Sequence, residues 1–253
     1  MPTAATRIDF NCDLGEGCGD DAAIVPWISS ASVACGAHAG DADTLRATVV
    51  LCRDHGVAIG AHPSFVDREG FGRREQALLP GAVHALVCAQ AARVRDACSA
   101  TGTALRHVKP HGALYNLAAR DPATAKEIIA AVCDIDPTLR LYALAGSALA
   151  RIGADAGLQV VQEAFAERRY EADGSLSPRG LPGATIDELD VALAQLDALL
   201  RTGAVTARTG EAVAIRADTL CLHGDRADAA AFARALHAAL ACAGVRIVAP
   251  GDA

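Results

Sequence analysis

Seven side chains able to hold a metal, move a proton or bind an anion stand at the downstream ends of short apolar runs: Asp13, His38, His62, Lys109, His111, Glu163 and His223. The runs are Ile8–Asp13, Ser32–Gly36 leading on to His38, Val57–His62, His107–His111, Val160–Glu163 and Thr219–Asp225, and the residue after each tends to be glycine or another turn former. Polar chemistry repeated at the tips of buried strands is how a parallel α/β barrel builds an active site. Neutral imidazoles plus one carboxylate make a usual ligand set for a divalent catalytic metal with open positions for water. Asp13, His62 and His111 are the expected ligands in that case. The same groups also suit metal-free acid–base catalysis, with His62 or His111 working near neutral pH.

Strand alternation places Asp9, Asn11 and Asp13 on one face, and Lys109 on the face of His111. An inward lysine would stabilise an oxyanion or a substrate carboxylate, or would pair with a buried acid such as Glu163. His38 lies in a turn where Gly36 and Gly40 allow close approach of a ligand to the backbone. It could ligate a metal or polarise a carbonyl. Asp13, His38, His62, Lys109 and His111 are the catalytic candidates; Asn11, Glu163, Arg168, His223 and Asp225 are the substrate-binding ones. His223-Gly224-Asp225 precedes a helix start whose N-terminus can help hold an anion. Glu16 reads equally as a site acid or a loop surface acid. His55, His84 and His237 fall within helix patterns and read as surface or packing groups, and His107 reads as structural.

The elements that must position these groups alternate along the whole chain. Asp41 or Asp43 can start a helix that Gly56 ends; Pro80 opens another, stopped by Gly102; Asp121-Pro122 is a capping acid followed by proline in the first turn. A short helix is expected from Ser147 to Asp155. Thr185 and Glu188 have capping-box spacing ahead of a helix to Leu200, and a last helix spans Ala227–Ala243. Seven strands are expected near 8–13, 32–36, 58–62, 106–110, 140–145, 159–163 and 219–222. Strands separated by helices run parallel, and the spread of polar residues over most tips favours a closed barrel over an open sheet with one switch point. Ser64–Leu79 and Phe165–Gly183 are long connections without a helix period, of the kind used as lids or binding loops. Arg68, Arg73 and Arg74 in the first, with Arg168, Arg169 and Arg179 in the second, suit bidentate recognition of a carboxylate or phosphate.

The chain has 253 residues, 52% of them hydrophobic and 4% aromatic, enough for one barrel domain over 1–253. A net charge of −7 argues against nucleic acid or an anionic membrane as partner. Nine cysteines without a C-x-x-C pair read as reduced, buried thiols. The first seven residues lack a signal-peptide core and no apolar stretch is long enough to span a membrane. A cytoplasmic protein is therefore expected.

Several long segments resemble one family. Asn11–Glu16 (NCDLGE), Ser30–Asp41 (ending ACGAHAGD), Gly56–Asp67 (GVAIGAHPSFVD), Arg106–Asn116 (RHVKPHGALYN), Glu163–Arg179 and Cys221–Asp225 (CLHGD) are similar to the LamB/YcsF family, over nearly all of residues 7–248. The resemblance implies a seven-stranded (β/α) TIM-like barrel of the glycoside hydrolase/deacetylase type. It also implies ATP-dependent opening of 5-oxo-L-proline to L-glutamate, with ADP and phosphate released, together with 5-oxoprolinase subunits B and C. ATP would be a co-substrate of the complex. The chain departs from the family pattern at Glu167, usually aspartate, at Arg169, usually a small residue, and at Ala37, usually aromatic. No Walker-type glycine-rich loop occurs, which weakens ATP binding by this chain alone. The alternatives are a stand-alone metal-dependent amide or lactam hydrolase or deacetylase, and a non-catalytic substrate-binding subunit.

Overall fold

The structure is a computed structural model and describes residues 7–252. In chain order the elements are β1 (Arg7–Leu14), α1 (Asp21–Ile24), a 3-10 turn (Val25–Trp27), β2 (Ser30–Ala34), α2 (Ala42–Asp54), β3 (Ala58–His62), α3 (Ala82–Ala100), β4 (Leu105–Val108), α4 (Gly112–Arg120) and α5 (Pro122–Ile135). They continue with β5 (Arg140–Leu144), α6 (Ala148–Asp155), β6 (Gln159–Phe165), α7 (Leu189–Thr202), β7 (Ala204–Thr206), β8 (Ala212–Ala214), β9 (Thr219–His223), α8 (Ala229–Cys242) and β10 (Arg246–Ile247). Strands β1 to β6 pair in sequence, β9 follows β6, and β9 pairs back onto β1, all in parallel. The ring is a closed seven-stranded (β/α) barrel. Strand β10 adds a two-residue parallel pairing to the start of β1.

Local chemistry explains the helix starts. Asp41 accepts from the Thr44 amide, Asp121 from the Ala123 and Thr124 amides with Pro122 in the first turn, and Ser147 from the Ala150 amide. Each such cap is worth about 1 kcal/mol. The expected capping box at Thr185 and Glu188 does not form. Helix α7 begins four residues later than read, at Leu189, and Glu188 caps it without a side-chain bond, because Thr185 pairs instead with Arg168 in an isolated bridge. Several elements were not legible in the sequence: the short α1 and its 3-10 turn, α4, which starts directly behind His111, the β7–β8 hairpin and the two-residue β10.

Outward-facing strand residues bury against the helices. Ile8, Phe10, Cys12 and Leu14 of β1 join Phe232, Leu236 and Leu240 of α8, while Val108 and Leu141 join Leu114, Ile128 and Val132. A smaller cluster sets Phe165, Tyr170 and Leu176 against Val205 and Val213 of the hairpin, fastening the base of the β6–α7 loop. The barrel interior is polar instead. Asp9 accepts from Ser29, Ser30, Tyr142 and Thr219, and Asn11 donates to Glu163 and Thr219 across the ring. His107 is structural as read, and it too points inward, bonded to Ser32 and stacked on Tyr142.

Candidate active site

A cavity of about 800 Å3 opens at the C-terminal ends of the strands. Asp13, His62, Lys109, His111, Glu163, Arg168 and His223 line it, together with Tyr115 of α4 and Arg73 and Arg179 of the two long loops. Three of the expected site residues do not line it. Asn11 is fully buried, with its amide spent on Glu163 and Thr219. His38 stands behind His111, the two rings stacked at 3.9 Å between centroids. Asp225 pairs with Arg73 at the rim.

Lys109 is the electrostatic centre. Its Nζ lies 2.5 Å from Asp13 Oδ1, 3.0 Å from Glu163 Oε1 and 2.8 Å from Asn11 Oδ1. Burial alone would favour the neutral amine, but the charges of Asp13 and then Glu163 outweigh it and hold the lysine well above its ordinary range. Burial likewise opposes ionisation of Asp13, and His62 and Lys109 overcome it, keeping this carboxyl well below its ordinary range. An inward lysine paired to buried acids is thus what the chain contains.

The hydrogen positions on the histidines follow from their partners. A carbonyl only accepts, so the ring nitrogen facing it carries the hydrogen. His62 Nδ1 donates to Lys109 O at 2.7 Å, and His111 Nε2 donates to Phe71 O at 2.8 Å. The Ser64 hydroxyl donates to Phe65 O at 2.8 Å, so His38 Nδ1 donates to Ser64 Oγ at 2.9 Å. In the neutral rings this leaves bare nitrogens at His62 Nε2, His111 Nδ1 and His38 Nε2. The first two are 3.0 Å apart, and Asp13 Oδ2 is 3.2 Å from His62 Nε2. Glu16 Oε1 lies 3.2 Å from His38 Nε2 and 3.7 Å from His111 Nδ1. Lone pairs gathered so closely repel unless a proton or a metal cation sits among them. The donor set of Asp13, His62 and His111, with ligand atoms within 4.8 Å of one another, fits a divalent ion. The sets Glu16–His38–His111 and Asp13–Cys221–His223 meet the same limit, but His111 has one free nitrogen and can serve only one ion, and the Cys221 sulfur already accepts from Lys109 Nζ at 3.3 Å. Burial holds His38 down to about 3 and His111 well below its ordinary range. Burial, then Asp13, pushes Glu16 well up.

On the opposite wall, the Glu167 carboxylate accepts from the His223 ring at Nδ1, from the His223 amide at 2.9 Å and from Arg226 at 3.1 Å. Burial raises the Glu167 carboxyl, and His223 with Arg226 more than reverses this. The acid thereby fixes the His223 ring, which stacks on Phe165 and lines the cavity. Among the loop arginines, Arg68 binds Gly36 O and Gly40 O, and Arg74 pairs with Asp67; both act as braces. Arg169 does not line the cavity, whereas Arg73, Arg168 and Arg179 do.

Two residues beyond the expected set, Glu167 and Tyr115, now join the site. Glu167 follows Glu163 and Phe165 at strand parity, a signal the β6 pattern carries. Tyr115 falls in the first turn of α4, its amide donating to the carbonyl of the N-cap His111 at 3.3 Å. Of the two readings of Glu16, the structure favours the site acid: it is buried in the turn after β1 and folds back onto His38.

The LamB/YcsF family model matches residues 8–252. A Symbiobacterium thermophilum protein that carries the name of the 5-oxoprolinase A subunit is 49% identical over 250 residues, covering 97% of this chain and 96% of that protein. The Bordetella pertussis protein of the same name is 47% identical over 245 residues, covering 95% and 97%. The crystal structure of a lactam utilization protein from Thermus thermophilus superposes with a TM-score of 0.89 at 44% identity, covering 96% of this chain and 99% of that one. The chain belongs to the LamB/YcsF family.

Proposed function

We propose that this chain is the ring-opening subunit of a 5-oxoprolinase, acting with subunits B and C to convert 5-oxo-L-proline and ATP to L-glutamate, ADP and phosphate. The observation that carries this reading is the convergence of Asp13, His62, His111 and His223 on one cavity, with Lys109 locked between two acids beneath them. The names of the relatives supply the substrate class. The need for ATP follows from the bond. A five-membered lactam is a resonance-stabilised amide, and phosphorylating its oxygen exposes the ring carbon to water.

In this reading Asp13, His62 and His111 would hold a divalent ion. Such an ion, when bound, supplies Lewis-acid polarisation of an oxygen and eases deprotonation of water. The chain's own groups do the rest. Lys109 keeps Asp13 ionised and aimed. The backbone carbonyls of Lys109 and Phe71 fix the rings of His62 and His111, so that each turns a bare nitrogen toward Asp13 and its neighbours. His223, held by Glu167, faces the cavity as a proton donor for the departing ring nitrogen. The loops after β3 and β6 bring Arg73, Arg168 and Arg179 to the cavity wall, where guanidiniums suit an anionic group of the substrate. Nine free thiols suit the reducing cytoplasm as its compartment. Among the described residues no helix is long and apolar enough to cross a membrane.

Glutamate release and ATP hydrolysis by the chain alone, and by the chain with subunits B and C, before and after chelation, test this reading. His62→Ala and His111→Ala should each lower turnover of the complex by about a hundredfold or more while leaving a cooperative unfolding transition. Wild-type turnover in both would remove the assignment. Glutamate release by the chain with metal alone would favour an ATP-independent hydrolase.

A further inference from the structure

The cavity is much larger than a five-membered lactam acid. Its 800 Å3 is at the scale of pockets that take drug-sized ligands, and the imidazole–carboxylate cluster occupies one part of it. Three guanidiniums line it as well: Arg73 from the β3–α3 loop, and Arg168 and Arg179 from the β6–α7 loop.

Their bonding is unusual for arginines near a core. Arg168 is 4% exposed, yet its partners are the uncharged carbonyls of Ser177 at 2.7 Å and Ala184 at 3.5 Å. Among the described residues neither Arg168 nor Arg179 has a carboxylate partner, and Arg179 makes no hydrogen bond at all. Arg73 is held in place by Asp225 and by the Phe71 ring, 4.9 Å from its guanidinium carbon. The three charges lie near enough to weaken one another. Burial and then Arg179 bring Arg168 down to about 10, and burial and then Arg73 lower Arg179. A buried cation without counter-charge is costly. Arg168 is such a cation, and the more exposed Arg179 and the braced Arg73 stand on the same cavity wall; three guanidiniums together call for an anion larger than one carboxylate, because a single bidentate arginine already satisfies a carboxylate.

We infer that Arg73, Arg168 and Arg179 form a phosphoryl subsite, so that the substrate entering this cavity is a lactam already phosphorylated on its carbonyl oxygen. This rests on the ring-opening reading above and assigns the order of its two halves. The supplying reaction is a phosphoryl transfer from a nucleoside triphosphate to an amide oxygen. The oxygen bonds to the terminal phosphorus, the bond to the nucleoside diphosphate breaks, and the ring N–H gives up its proton. In this cavity water adds to the ring carbon, the C–N bond breaks and the nitrogen takes up protons, leaving an amine and an acyl phosphate. A second water then releases phosphate and the new carboxylate. The three arginines hold the phosphoryl oxygens throughout, and the chain needs no nucleotide loop of its own.

Calorimetric titration of inorganic phosphate into the chelator-treated full chain tests the subsite. Saturable binding is expected. Arg179→Gln, which breaks no hydrogen bond or ion pair among the described residues, should weaken it about tenfold or more. Arg168→Lys, which keeps the charge but loses the bidentate fork, should do the same. No phosphate binding by the wild type, or unchanged phosphate affinity in both variants, would overturn it. Glutamate release by the complete complex is scored separately. Phosphate binding without release removes the ring-opening reading and keeps the subsite; release without phosphate binding does the reverse.

Discussion

The ring of His107 lies nearly flat on Tyr142, with centroids 4.1 Å apart at 17°, and shares a 3.2 Å hydrogen bond with Ser32. It is 1% exposed, and burial, followed by the charge of Lys109, holds it well below its ordinary range. The consequence for stability has a definite sign. Below about pH 6.5 an unfolded histidine takes up a proton, whereas the buried ring does not. The unfolded state then binds more protons, so stability rises with pH and falls on acidification. This one residue contributes a slope of up to about 1.4 kcal/mol per pH unit below the unfolded value. His107→Gln, which can keep a bond to Ser32, should flatten the stability profile by about one proton between roughly pH 6 and 4.5. Urea unfolding across that range measures it, and parallel profiles for wild type and variant would show that the ring titrates in the folded protein.

The β3–α3 loop works as a clasp on the site rather than as loose covering. Phe71 is the one described non-glycine residue in the left-handed region, at φ 54°, and its carbonyl thereby reaches His111 Nε2. Gly72 follows at φ +66°; a Cβ there would come within 2.9 Å of both His111 and His38, and its carbonyl accepts from Ala113 at the start of α4. Gly72→Ala should therefore displace His111 directly. A shift of the order of 1 Å at a reacting group costs about a hundredfold in rate, while the left-handed strain costs only about 1–2 kcal/mol of stability. Turnover of the complex and urea unfolding, measured together, should show a large loss in the first and a small one in the second. Equal losses would make the loop a folding element only. The sequence shows that this loop is long and lies after a strand tip, because absence of period is itself a pattern. It does not show the clasp, which depends on a contact between Phe71 and His111, far apart in the chain. The same contrast holds elsewhere. His62, Lys109, Glu163 and His223 were legible because strand parity and tip position are local. Helix α4 was hidden because its first turn overlaps the site motif, and the expected α7 cap failed because Thr185 was taken by Arg168.

Across the whole barrel one hydrogen-bonded column runs from base to mouth. Tyr142 and Ser30 donate to Asp9, as does Thr219; Thr219 accepts from Asn11; Asn11 meets Lys109 and Glu163; Lys109 meets Asp13, which faces His62 and, beyond it, His111. The barrel is thus filled by polar groups that bond to one another, Glu163 Oε2 alone in this column having no hydrogen-bond or ion-pair partner among the described residues, with its apolar core displaced to the layer between strands and helices. Such a network is stabilising only when complete, since a buried group left without a partner costs about 1–3 kcal/mol. Asp9→Ala removes the acceptor of four hydroxyls at once and should cost several times a single hydrogen bond. Thr219→Val deletes the one link between Asp9 and Asn11 at nearly constant volume. Because both changes break the same Thr219–Asp9 bond, at 2.6 Å, their effects should not add. A double-mutant cycle by urea unfolding should give a coupling of about 0.5–3 kcal/mol. If Lys109 is indeed set from below, Thr219→Val should also reduce turnover of the complex more than its stability loss alone explains. Strict additivity, with turnover unchanged, would reduce the column to independent pairs and leave the site's geometry to the strand tips and loops.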